Sequence, residues 1–99
     1  PHRFTRIRTL KSEFTKCFKN TDQLILCPVY AAGEPIDKNY NQVKFAKLIS
    51  KFSKTQVIIA SNELDVTKYL RNNLINDEVV VGMGAGSISQ WMYNLKNNL

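Results

Sequence analysis

NQVKFAKLISKFSKTQVIIA, residues 41–60, changes period half-way along. Phe45, Leu48, Ile49 and Phe52 recur at the spacing of a helix with one buried side. From Val57 to Ala60 the apolar residues then run without a break. A strand with one wet face alternates, so an unbroken run indicates a strand covered on both faces.

The same two periods recur on either side. Upstream, TLKSEFTKCFKN (9–20) puts Leu10, Phe14, Cys17 and Phe18 on one helical stripe, and DQLILCP (22–28) carries the run Leu24 to Cys27, ended by Pro28. Downstream, SNELDVTKYLRNNL (61–74) predicts a helix capped by Ser61 or Asn62, with Val66, Leu70 and Leu74 buried. NDEVVVG (76–82) supplies a third run, Val79 to Val81. A last helix is predicted from Gly86 or Ser87, burying Ile88, Trp91, Met92 and Leu95. Short covered strands separated by helices predict an α/β domain: a parallel sheet between two helical layers. Three strands make a thin sheet, and a proline-led polar segment runs straight into the first helix. The chain is therefore expected to lack the first strand and helix of such a domain, and its unpaired edge to invite self-association.

With 99 residues the chain is expected to form one domain. No apolar run is long enough to cross a bilayer, so no membrane partner is expected. Cys17 and Cys27 have no metal-ligand spacing and read as small core residues, which points to a reducing, cytoplasmic location. The 14 Lys and Arg outweigh the 8 Asp and Glu, giving a formal charge of +6 and favouring anionic partners. Most of the lysines fall on exposed helix sides. Arg3, Arg6 and Arg8 crowd the opening PHRFTRIR and form the exceptional group.

In an open parallel sheet, ligands bind outside the carboxyl ends of the strands. Three segments are placed there: PHRFTRIR (1–8), PVYAAGEPIDKNY (28–40) and GMGAGS (82–87). Arg3 and Arg6 are one helical turn apart if the helix begins early, and a guanidinium is a planar fork suited to carboxylate or phosphate. Arg8 falls elsewhere on the turn, as a surface or supporting group. His2, the single histidine, is either structural or part of the same anion site. Tyr30 offers an aromatic face and a hydroxyl. Glu34 could pair with an ammonium group or an arginine, or both could simply belong to a turn. Gly82, Gly84 and Gly86 could present backbone N–H groups to an anion at a helix start, or form a tight turn. They match neither the dinucleotide fingerprint nor a nucleotide P-loop. Asp22, Asp37, Asp65 and Asp77 lie at element ends, where caps and turns explain them. Binding groups are present, but no nucleophile–base pair is.

PHRFTR, VYAAGEP and GMGAGSI, in this order and spacing, resemble the C-terminal domain of the Mur ligase family over essentially the whole chain, 1–99. The first two motifs resemble the branch that adds L-alanine to UDP-N-acetylmuramate. The resemblance implies a Rossmann-like domain closing over an active site shared with an N-terminal domain and a central ATPase domain. It implies ATP and Mg2+ held mainly outside this chain, and a carboxylate activated as an acyl phosphate for attack by the amine of L-alanine. By the same resemblance His2, Arg3 and Arg6, Tyr30 and Glu34, and Gly84, Ala85 and Gly86 line the substrate region. The chain alone is expected to be inactive. Three positions depart from the family's pattern: Pro28 stands where an aspartate is usual, Glu34 meets Pro35 directly, and Ser87 follows the GAG where Asn or Asp is common. A competing reading is a small basic nucleic-acid-binding module, which the charge alone favours. A third is a flavodoxin-like domain with no ligand.

Overall fold

The computed structural model describes residues 3–84 and 86–99. The helix expected at 9–20 is shorter, α2 (Lys11–Lys16), and a second short helix, α1 (Phe4–Thr9), precedes it in the basic opening segment, the two separated at Leu10. Next along the chain are strand β1 (Gln23–Leu26), helix α3 (Gln42–Ser53), strand β2 (Gln56–Ile59), helix α4 (Glu63–Asn73) and helix α5 (Ser87–Asn98). β1 and β2 pair in parallel, with Leu24 opposite Val57 and Ile25 opposite Ile58. A parallel pair cannot be closed by a tight turn, so the chain crosses over through α3.

The pleat separates two faces. Leu24, Leu26 and Val57 face the cluster of Ile7, Phe45, Ala46 and Ile49, with Phe14 and Phe18 packed against it. On the other face, the Tyr69 hydroxyl of α4 donates to Gln23 Oε1 at 2.8 Å. Helices thus lie on both sides of the sheet, the α/β arrangement expected, with two paired strands. α5 is tied to α4 by Asn94 Nδ2 donating to Glu63 Oε1 (2.9 Å) and by Arg71 Nη2 donating to the Asn98 carbonyl (2.5 Å).

Helix ends obey their sequence signals. Asn41 Oδ1 accepts from the Lys44 N–H, and Asn62, rather than Ser61, accepts from the Asp65 N–H. The Asp65 carboxylate accepts in turn from the Ser61 N–H. Both caps satisfy amide donors that the first turn of a helix leaves free.

Four expectations are corrected, the first being Leu74, which follows the last residue of α4 and is exposed instead of buried. Val79–Val81 is not a strand: Val79 is 85% and Val81 71% exposed, and the segment pairs with neither β1 nor β2. A strand needs ladder hydrogen bonds and cover, and the described residues give this run neither. Cys17 is exposed, because α2 ends at Lys16 and the break at Leu10 shifts the stripe so that Thr15 is buried beside Phe14. Cys27 is buried as expected, and burial pushes its thiol pKa up. Phe52 is exposed, with the Lys51 ammonium 5.4 Å from its ring centroid, while Ser53 takes the buried place at the end of α3.

Ser53 explains that exchange. Its hydroxyl donates to the Thr15 carbonyl at 2.6 Å and accepts from the Phe18 N–H at 3.2 Å. Beside it, the buried Thr55 hydroxyl lies 2.7 Å from the Phe18 carbonyl. These hydroxyls satisfy main-chain groups where α2 runs into the loop before β1. Ser53→Ala leaves two of them unpaired and is expected to cost about 1–3 kcal/mol, measured by urea unfolding.

Tyr40 is the opposite case. Its ring meets Phe4 (centroids 5.5 Å) and Phe45 (6.1 Å) edge to face, but its buried hydroxyl has no hydrogen-bond partner among the described residues. Burial pushes its pKa up to about 12. An unfolded tyrosine ionises near ~10, so the folded state keeps its proton to higher pH. The stability from this group is complete below about pH 10 and is lost as pH rises toward 12. Tyr40→Phe removes an unpaired polar group and is expected to leave stability equal or higher by up to about 1–2 kcal/mol. It should also flatten the alkaline fall between about pH 10 and 12 in denaturation midpoints.

Candidate functional site

Parallel pairing sends the chain out of β1 and β2 at the same edge, and the three motif segments meet at the β1 exit. α1 is pinned by its inner side: Ile7 is 4% exposed and Phe4 rests on Tyr40. The residues between them, Thr5 and Arg6, are left exposed, as are Arg3 and Arg8.

Arg3 is the residue before α1, and its N–H donates to the Tyr30 carbonyl at 2.7 Å. It holds φ 62° and ψ 134°, a conformation that L residues seldom adopt. Non-glycine residues held at such angles gather at functional sites, where the surroundings enforce them. Two residues on, the Thr5 hydroxyl donates to Glu34 Oε1 at 3.0 Å.

Between Tyr30 and Glu34 the chain reverses. Ala32 (φ 54°) and Gly33 (φ 88°) both take positive φ, and the Glu34 N–H closes the turn on the Ala31 carbonyl at 3.1 Å. Two consecutive left-handed residues match the mirror-image turn type, which glycine at the second place makes easy. The small residues of AAG thus build the turn itself. Beyond it, a cleft runs between α1 and this loop, lined by Phe4, Pro28, Val29, Ala31, Ile36 and Tyr40.

The third segment arrives through Gly86, the residue before α5, at φ 71°. A Cβ placed there would lie 2.7–2.8 Å from three atoms of the Tyr30 ring. Gly86 is needed twice, for its backbone angle and for the flush seat of the tyrosine. Gly82 is similarly crowded by Met92 of α5, and Gly84 takes φ 144°.

The structure therefore brings together Arg3, Tyr30, Glu34 and Gly86, with Arg6 on the exposed turn beside them. His2 and Ala85 lie outside the described residues. Glu34 takes its hydrogen bond from Thr5, a residue that sequence reasoning did not select, since a threonine inside a basic motif carries no distinguishing signal. Arg8 points to a different partner, Asp37 Oδ2, at 3.8 Å. Asp37 also anchors its own loop by accepting from the Asn39 N–H at 2.9 Å. An exposed pair at this distance contributes little to stability.

Sequence comparison gives the geometry its family. No protein-family model matches the chain. It is 43% identical over 95 residues, 96% of its length, to UDP-N-acetylmuramate–L-alanine ligase of Pelagibacter ubique. It is 40% identical over 90 residues, 91% of its length, to the ligase of that name from Neisseria gonorrhoeae. With the Bartonella bacilliformis ligase it shares 34% identity over 99 residues, all of the chain. The chain belongs to the Mur ligase family. It spans about a fifth of the length of these curated relatives, 20%, 19% and 21% respectively.

In this Mur ligase chain the contact of Gly86 with Tyr30 can be tested by a single substitution. Gly86→Ala forces a Cβ into the ring and strains a left-handed residue. It is expected to cost roughly 1–3 kcal/mol and to displace Tyr30, visible as lowered thermal stability and a changed Tyr30 ring environment by NMR.

Proposed function

We propose that residues 1–99 are the C-terminal domain of a cytoplasmic ligase of peptidoglycan precursor synthesis, forming the amino-acid side of its active site. The full enzyme would join L-alanine to UDP-N-acetylmuramate through an acyl phosphate. The observation that carries this reading is the convergence of three distant segments on one edge, held by Arg3–Tyr30, Thr5–Glu34 and Gly86–Tyr30 contacts. The Pelagibacter, Bartonella and Neisseria relatives support the choice of reaction.

Two exposed arginines, Arg3 just ahead of α1 and Arg6 in its first turn, suit a substrate carboxylate and the charge that develops as amine meets acyl group. Fixed cations stabilise such charge without acting as nucleophile or base. Tyr30 and Gly86 shape the floor between them. His2 and Ala85 are included in the proposed substrate region on the strength of the motifs alone. ATP with Mg2+ supplies the activation of the carboxylate. Among the described residues no three His, Cys, Asp or Glu side chains gather as a metal site, and the glycine segment lacks the Lys-Ser/Thr pair of a nucleotide loop. Those groups do not fit this chain, and the proposal assigns them to the rest of the enzyme, with its N-terminal and central domains as partners. Residues 1–99 alone should show no turnover.

In the full-length enzyme, Arg3→Ala and Arg6→Ala are each expected to lower kcat/KM for L-alanine by about 100-fold while leaving the unfolding transition in place. Steady-state kinetics with varied L-alanine tests this. Wild-type constants in both variants would remove the assignment.

A further inference from the structure

A free amino acid is a zwitterion, so a site for it needs a cationic side and an anionic side. Arg3 and Arg6 supply the first. Glu34 is the carboxylate bound to the same segment, and what fixes it is Thr5. The Arg3–Tyr30 and Thr5–Glu34 bonds hold both flanks of the turn at Ala32 and Gly33, so the turn and the start of α1 are joined at two points. Thr5 is exposed, and a hydrogen bond in that setting adds little to folding. Its effect is directional: with Oε1 accepting from Thr5, the second carboxylate oxygen is oriented for a cation.

We propose that Thr5 is a positioning residue, whose hydroxyl holds the Glu34 carboxylate in place for the amino group of the incoming amino acid. This rests on the proposed ligase function. The test uses the full-length ligase with L-alanine varied. Thr5→Val keeps the shape and loses the donor, and is expected to raise KM for L-alanine about tenfold with kcat changed less than about threefold. Thr5→Ser restores the donor and should recover wild-type KM.

A double-mutant cycle separates positioning from a merely structural part. In a Glu34→Ala background, adding Thr5→Val should change KM by less than about twofold, because the group it acts through is already gone. Independent, multiplying effects overturn the proposal. If Glu34→Ala raises KM and Thr5→Val does not, the positioning role is wrong while the amino-acid site stands. If Glu34→Ala leaves KM unchanged but Arg3→Ala and Arg6→Ala impair ligation, Glu34 has no part in the site and Thr5 loses its role with it. Wild-type kinetics in all of these variants overturn the proposed function itself.

Discussion

Two four-residue strands lying parallel constrain nearly every other part of this molecule. Parallel strands need a crossover, and α3 provides it, burying Phe45, Ala46 and Ile49 against one face of the pair. They also share a direction, so both carboxyl ends open on one edge. The 27–41 loop must therefore start there, whatever its residues. The Gln42 amide strengthens the constraint by donating to the Leu26 carbonyl at 3.3 Å, which draws the far end of the loop back to the strand.

On that edge, Tyr30 is the meeting point. Its carbonyl accepts from the residue ahead of α1, and its ring covers the residue ahead of α5. Segments more than 50 positions apart in sequence thus meet at one residue, the first on its main chain and the second on its ring. Such an arrangement requires small residues. Gly33 allows the reversal after Tyr30, and Gly86 allows the ring to sit flush. The basic residues can then stay exposed, since α1 is fastened by Phe4 and Ile7 and by main-chain bonds instead of by its arginines.

The interior is stabilised in two different ways. Around Ile49 it is apolar packing, worth roughly 1.5–3 kcal/mol for each large side chain fully removed from water. Where α2, α3 and the start of β1 come together, it is hydroxyl chemistry through Ser53 and Thr55, because a helix ending there leaves carbonyls with no helical partner. Tyr40 belongs to the first kind by its ring and fits neither by its hydroxyl.

The unbroken apolar runs at 24–27 and 57–60 located β1 and β2 to within a residue, and the cap at Asn62 was legible as one of two candidates. Periodicity failed at Cys17 and Phe52, because it reports the angle around an ideal helix and not where a helix breaks or ends. It failed at Val79–Val81 because a strand exists only with a neighbour to bond. The grouping of the three motifs on one edge is a consequence of strand direction and could be read in advance. Residue order alone was enough for the α/β class and the family. It took the folded arrangement to show that Thr5 holds Glu34, that Arg8 turns to Asp37 and that Gly86 seats Tyr30. Those pairings depend on the angles of a few loop residues, and they join side chains with no periodic relation along the chain.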